Sequence, residues 1–282
     1  LSQASIYLYA KAQEETKKPR SAGGLRINSD FQELDIDSCI EETSNKLISH
    51  LNYKSIETNK YLICFTPEAF LQLISAFSSM FNARSIIDGL SLMNEDSIGN
   101  QISVPNLNIS DEGLHPENVG AFSFDGEGTP TQNINLVTDG KLTNLLHSEA
   151  TARKFGVKPT GHAGLGAKVS VSPDWLVVRK SKSLMDKEES LSIKNTLKEY
   201  ILIDELSAIH SGVKASQGSF SLPIDGWIVN NAKKTSIEAA TVAGDILKVL
   251  NSIVKIENEQ IVTHQGISPH IWVENISITG EA

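Results

Sequence analysis

The sequence is short of the residues that most often build a reactive centre by themselves. Its 282 residues include two cysteines, Cys39 and Cys64. Two are too few for a disulfide framework, and they fit a reducing cytoplasm. They form no Cys-x-x-Cys pair, so cysteine-held zinc or redox chemistry has no footing. Seven histidines are present, and no two lie four apart. That spacing is the one that sets two ligands on one helical face. A Gly-x-Ser-x-Gly nucleophile elbow is also missing, and Ser211-Gly212 beside His210 is a chance-level pairing. No window approaches the run of about 18 apolar residues that a spanning helix needs, so no membrane association is expected. No signal-peptide pattern is visible either. Positive charge is the scarcer sign, with 25 Lys and Arg against 34 Asp and Glu and a net charge of −9. An acidic field argues against general nucleic-acid binding. The one dense basic cluster, Lys17-Lys18-Pro19-Arg20, reads as a solvated loop.

What is present is the composition of a soluble globular protein, 40% hydrophobic and 21% charged. The chain begins with Leu1, and Ala4 to Ala10 already reads as a strand in mid-course, so a fragment or a trimmed product is expected. A loop is expected over 17–24. Asp37-Ser38 reads as the cap of a helix with Ile40, Leu47, Ile48 and Leu51 inward. The polar run 52–60 is the candidate domain boundary. Tyr61 to Phe65 is a compact strand. Thr66-Pro67-Glu68 then opens a helix, with Thr as N-cap, Pro at the first position and Glu at the positive end of the dipole. Phe70, Leu71, Leu73, Ile74, Phe77, Met80 and Phe81 make that helix apolar over much of its circumference. Residues 94–118 read as a polar, turn-rich excursion.

The stretch that organises the rest is Phe124-Asp125-Gly126-Glu127-Gly128-Thr129-Pro130-Thr131-Gln132. Asn133 to Thr138 then partly alternates as a half-buried strand, and Asp139-Gly140 signals a tight hairpin. Ser148 to Phe155 is a short helical run that Gly156 is placed to end. Two readings of Asp125 and Glu127 stand at this point. In one they are solvated acids of a turn whose glycines give backbone freedom. In the other they line a cleft. Gly161-His162-Ala163-Gly164-Leu165-Gly166 lacks the strand-to-helix setting of a dinucleotide loop and reads as loop. Further along, a strand is expected at 175–178 and a helix at 187–200. Two adjacent strands are expected at 218–222 and 226–229, then a turn at Asn230-Asn231. A helix from Ile237 to Val254 and a terminal strand over 268–278 complete the chain. Short strands joined by turns, with a few separate packed helices, give an α+β fold with mostly antiparallel sheet.

Taken in order, four pieces resemble the TldD/PmbA family. They are Phe124 to Gln132, Asp139-Gly140-Lys141-Leu142, Ala152-Arg153-Lys154-Phe155-Gly156 and Lys158-Pro159-Thr160-Gly161. The run from Ser219-Phe220 through Gly226-Trp227-Ile228-Val229 to Ala243-Gly244-Asp245-Ile246-Leu247 is similar too. These are peptidase-related proteins also called modulators of DNA gyrase. The resemblance implies residues 1–55 as the remnant of an N-terminal α/β domain, and 56–282 as a C-terminal domain of the TldD/PmbA type. It also implies a cytoplasmic heterodimeric metalloprotease that degrades or matures unstructured peptides. One subunit type carries a zinc-binding His-Glu-x-x-x-His helix, and the other, PmbA-like or TldE-type, does not.

The helix after Phe65 occupies the place expected for that motif and contains no histidine. His264 and His270 are close in sequence but fit no ligand spacing. The chain therefore resembles the PmbA-like subunit, contributing channel walls and dimer surface. The resemblance implies no catalytic residue, metal or cofactor in this chain, with zinc in a TldD-like partner, or else a self-dimer. Asp125, Glu127, His162 and His210 are the candidate residues of a substrate cleft. A non-hydrolytic peptide-binding or gyrase-modulating protein is the alternative. An independent nucleophilic hydrolase ranks behind both.

Overall fold

The computed structural model describes residues 3–181 and 199–280. Two large sheets share one apolar core in an α+β arrangement that is mostly antiparallel. The larger is nine-stranded, and its longest member, Ser219–Asn230, pairs with Ala240–Asp245, Lys233–Ile237 and Glu199–Leu206. The strand Asn59–Phe65 lies between Glu199–Leu206, its parallel neighbour, and the terminal strand Ile271–Gly280. The six-stranded second sheet is built on Leu176–Lys180, Leu107–Glu112 and Asn133–Thr138. Asp139 and Gly140, at φ 49° and 76°, close the expected two-residue hairpin between Asn133–Thr138 and Lys141–Leu142. Among the described residues no helix is long and apolar enough to cross a membrane.

A separate two-stranded sheet, β1 (Ala4–Ala12) and β2 (Arg20–Asn28), carries helix α1 (Ile36–Leu51) on one face. The expected loop over 17–24 is therefore half strand. Its glycines serve packing rather than turning: a Cβ on Gly24 would lie 2.1 Å from Thr43 Oγ1 and 3.2 Å from Cys39 Sγ. The same contact corrects the inward face of α1. Cys39, Thr43, Leu47 and His50 are buried, while Ile40 and Ile48 stand exposed. Leu47 is inward as expected, but small side chains are needed against the glycine strand, so hydrophobicity misplaced Ile40 and Ile48. The cap is Asp35, which accepts from the Ser38 amide, two residues before the expected start. At its far end the His50 ring stacks on Trp227, with centroids 5.0 Å apart, and shares a 2.8 Å hydrogen bond with Ser236.

Helix α2 (Pro67–Ala76) begins as its first residues dictate, with Thr66 accepting from the Ala69 amide and Pro67 in the first turn. It is shorter than the apolar run, which continues as a 3-10 turn over Ser78–Phe81. Ala69, Phe70, Leu71, Leu73 and Ile74 are fully buried between the sheets. Each of the larger ones contributes roughly 1.5–3 kcal/mol by leaving water. Only Glu68, Gln72, Ser75 and Ala76 remain partly accessible, and they share one side of the helix.

Three further expectations are corrected. Residues 94–118 contain the buried strand Leu107–Glu112, whose core positions Leu107 and Ile109 alternate with polar residues. The two strands expected at 218–222 and 226–229 are one continuous strand. The helix expected from Ile237 is largely strand. Ala240–Asp245 pairs on both sides, and the helix Ile246–Asn251 starts only where Asp245 accepts from the Lys248 amide. Small and β-branched residues let that segment fit between two neighbours. Of the helix expected at 187–200, Glu199 and Tyr200 belong to a strand and the rest lies outside the described residues.

Gly24→Val should push α1 off β2 and cost about 1–3 kcal/mol in urea unfolding. Gly166→Ala, where the nearest atom to the new Cβ would lie at an ordinary 3.6 Å, should change stability by less than about 0.5 kcal/mol.

Candidate functional site

The Asp125–Gly128 stretch is a turn whose acids are committed to backbone amides. Asp125 Oδ1 accepts from the amides of Glu127 and Thr129, and its Oδ2 accepts from Ala163 at 2.9 Å. Glu127 Oε2 accepts from the Glu149 amide at 2.8 Å, at the start of the helix Glu149–Phe155. The turn is thereby pinned to two later segments. Gly161 completes the join: at φ 76° it packs where a Cβ would lie 2.3 Å from the Pro130 carbonyl oxygen. Of the four candidate residues, Asp125, Glu127 and His162 share this network. His210 does not, and lies exposed in the one-turn helix Ile209–Gly212.

His162 is buried with Asp111. Its Nε2 donates to Asp111 Oδ1 at 3.0 Å, and its Nδ1 lies 3.0 Å from Thr160 Oγ1. The Thr160 hydroxyl accepts from the His147 amide at 2.8 Å and lies 3.1 Å from the His147 carbonyl oxygen. Burial presses the His162 pKa down, but the hydrogen bond and charge of Asp111, with Asp174 adding, raise it above the ordinary value. Asp111 Oδ2 accepts from the amides of Asp174 and Trp175, so this one buried carboxylate ties three segments together.

Asp111, His162 and Asp174 bring three potential ligand atoms within 4.8 Å of one another. They do not fit a zinc site. Both His162 ring nitrogens and both Asp111 oxygens are already engaged by protein partners. Asp174 is exposed as a residue, but its carboxyl turns back to this pair. Desolvation, with Asp111 and Asp125 and against His162, lifts its pKa to about 6.

A cleft opens between the β1–β2 unit and the accessible side of α2. It comprises two adjoining lobes of about 450 and 710 Å³ that share Glu68, Glu42, Arg26 and His264. Glu68 is the residue that α2 presents at its first turn. Its Oε1 accepts from Gln265 at 3.0 Å and lies 3.4 Å from His264 Nδ1. Burial pushes the His264 pKa down. Burial, then repulsion from Asp204 and Glu205, pushes the Glu68 carboxyl up to about 7. Those two acids reach the cleft because the strand Glu199–Leu206 shifts register between Ile203 and Glu205, an irregularity that re-aims side chains. Lys46 of α1 answers them, at 2.6 Å from Asp204 and 3.4 Å from Glu205. Gln72, one turn on from Glu68, accepts from the Leu206 amide.

Sequence reasoning read Glu68 only as a dipole partner and passed over Lys46, Asp111, Asp174 and Asp204. A strand pattern at Leu107-Asn108-Ile109 was the one local signal for Asp111. Nothing in sequence spacing brings Glu68 to Asp204 or His264.

Residues 58–280 match the family model described as the PmbA/TldA metallopeptidase C-terminal domain. Metalloprotease PmbA of Escherichia coli O157:H7 is 26% identical over 222 residues, covering 77% of this chain and 45% of that protein. A candidate modulator of a DNA gyrase from Thermotoga maritima superposes with a TM-score of 0.85 at 27% identity, covering 98% of this chain and 62% of that one. TldE from Thermococcus kodakarensis shares the fold, with a TM-score of 0.83 at 18% identity over 99% of this chain and 63% of its own. The chain spans about half the length of the curated relatives it matches.

His162→Ala strands the buried Asp111 carboxylate and should cost about 3–5 kcal/mol in urea unfolding, against under about 0.5 for His210→Ala. Because the folded-state pKa of His162 is raised, its contribution should be full below the ordinary histidine value and fade as pH rises through the raised one. Glu68 has the same sign: stability is lost as pH climbs from the ordinary 4.5 through about 7. Glu68→Gln should therefore match wild type near pH 4 and exceed it at pH 8 by on the order of 1–2 kcal/mol, read from thermal melts.

Proposed function

The chain belongs to the PmbA/TldD family, and from that premise we propose that it is a PmbA-like, TldE-type subunit of a cytoplasmic heterodimeric metalloprotease. In this reading a TldD-type partner supplies zinc, and the substrates are unstructured peptides. One observation carries it. The helix expected to bear the metal motif turns only Glu68 and Gln72 into the cleft, and Gln72 is already engaged with the Leu206 amide. A buried helix with no imidazole offers a metal no nitrogen ligand.

The chain's own contribution is then shape and charge. Residues 1–55 act as part of an N-terminal unit whose hairpin and α1 wall the cleft, and 56–282 act as the C-terminal domain. Asp125 and Glu127 hold the loops of the second sheet in place through backbone amides, His162 adds its bonds to Asp111 and Thr160, and His210 has no part. The hydrolytic step is assigned to groups of the partner, and no residue here is given a catalytic role.

The test is co-expression with a sibling chain that carries His-Glu-x-x-x-His, followed by co-purification and digestion of an unfolded protein. The expected result is a stable complex that cuts, while this chain alone does not. Hydrolysis by this chain alone would contradict the reading. Failure to bind the sibling would favour a non-hydrolytic peptide-binding or gyrase-modulating role.

A further inference from the structure

We propose that the unit of β1, β2 and α1 is a hinged lid on the cleft. It turns about Asn52 to open the cleft, and Lys46 latches it shut. The movement is a property of this chain; that an unstructured peptide enters beneath the lid rests on the reading given above.

The unit is held at one end. Among the described residues, every hydrogen bond and ion pair from residues 3–51 to residues 56–280 comes from Lys18, Arg20, Lys46 or His50. Three of these four reach the same place. Arg20 donates to the carbonyls of Ile237 and Glu238 and pairs with Asp225. Lys18 lies 3.1 Å from the Glu238 carboxylate, and His50 meets Ser236 and Trp227. The chain crosses there too: Tyr53–Lys54 pairs with Lys233–Ile237, and the Asn52 carbonyl accepts from the Ser236 amide. From this anchor β2 runs outward from Arg20 to Asn28. Its far end, Leu25 to Asn28, lines the larger lobe of the cleft together with Glu117 and Val262. That end is fastened to the other wall by no hydrogen bond or ion pair among the described residues.

Packing gives a second, independent sign. The apolar residues that the unit buries, Ala22, Leu34, Cys39 and Leu47, belong to none of the apolar clusters of the two sheets. Two bodies of one chain that share no large apolar interface move relative to each other by default. Hinges of this kind sit at the ends of elements, where a few residues absorb the change. Asn52 is such a residue: it ends α1 at φ −93° and ψ 84°, outside the helical region.

Lys46 stands apart from the anchor. It reaches from α1 to the opposite wall, at 2.6 Å from Asp204 and 3.4 Å from Glu205. Its side chain is 23% exposed, so salt reaches the pair. Loss of that link frees the overhang, while the anchor keeps the unit attached.

The test is a distance distribution between two nitroxide labels, measured by double electron–electron resonance on the chain with Ser29→Cys and Glu117→Cys. Ser29 follows the free end of β2, Glu117 lies on the other wall, and both are exposed. Cys39 and Cys64 are buried, and the chain without added cysteines is the labelling blank. The expected result is a short and a longer population. The longer one should grow at least about threefold in Lys46→Met and in about 1 M NaCl. Arg84→Met, which removes the pair with Asp88 outside the cleft, should leave the distribution unchanged. A second label pair within the unit, at Lys11→Cys and Glu41→Cys, should keep one narrow distance throughout, as a rigid body requires. A single distance between positions 29 and 117 that neither Lys46→Met nor salt alters overturns the lid. Broadening between positions 11 and 41 overturns it too, because it marks local unfolding. Reduced, alkylated ribonuclease serves as an unfolded chain and should enlarge the longer population. A lid that responds to Lys46→Met but not to this chain stands, and the peptide reading falls.

Discussion

The burial of α2 constrains everything around it. Its apolar side chains are enclosed by both sheets, and Phe65 and Phe70 meet at ring centroids 6.2 Å apart. The helix cannot rotate without exposing Phe70, Leu73 or Ile74, so Glu68 and Gln72 are fixed as the residues it offers outward. Thr66 reinforces this, its amide donating to the Ile203 carbonyl and its hydroxyl to that of Asp204. The register shift that brings Asp204 and Glu205 to the cleft thus lies against the start of the helix. Local chain geometry, core packing and cleft electrostatics here have a single origin.

The second sheet follows a different rule: acids are used to collect amides. Asp111, Asp125 and Glu127 between them accept from the amides of residues 127, 129, 149, 163, 174 and 175. Charge-assisted bonds of this kind are stronger than neutral ones and short enough to fix loop positions. The ring of His162 meets Asp111, the one carboxylate wholly buried among the described residues. Removing His162 leaves Asp111 Oδ1 buried without its donor, which is why the loops depend on the pair. Glycines at 126 and 161 allow the segments to approach, since side chains there would strike neighbouring backbone.

Much of this was legible in the chain. Thr66-Pro67-Glu68, Asp139-Gly140 and the Gly156 stop are local signals, satisfied within a few residues, and each formed as read. The family was legible too, because the order of Phe124 to Gln132, Lys158 to Gly161 and Gly226 to Val229 is particular to it. What escaped depends on partners far along the chain. Gly23-Gly24 looks like a turn until Thr43 is laid against it. Ala240 to Asp245 looks helical until strands flank it on both sides. Asp125 left two readings open because nothing nearby in sequence says whether a carboxylate meets water or the amide of Ala163. The cleft is of the same kind: Lys46, Glu68, Asp204 and His264 come from four separate elements, and no spacing rule joins them.

The central claim is that this polypeptide carries its fold and its cleft without a metal of its own. Zinc per chain, measured by elemental analysis after dialysis against a slight excess of the metal, tests it most directly. The account predicts zinc well below one equivalent, unchanged by His162→Ala or His264→Ala. One tightly held zinc per chain, lost in either variant, would contradict it.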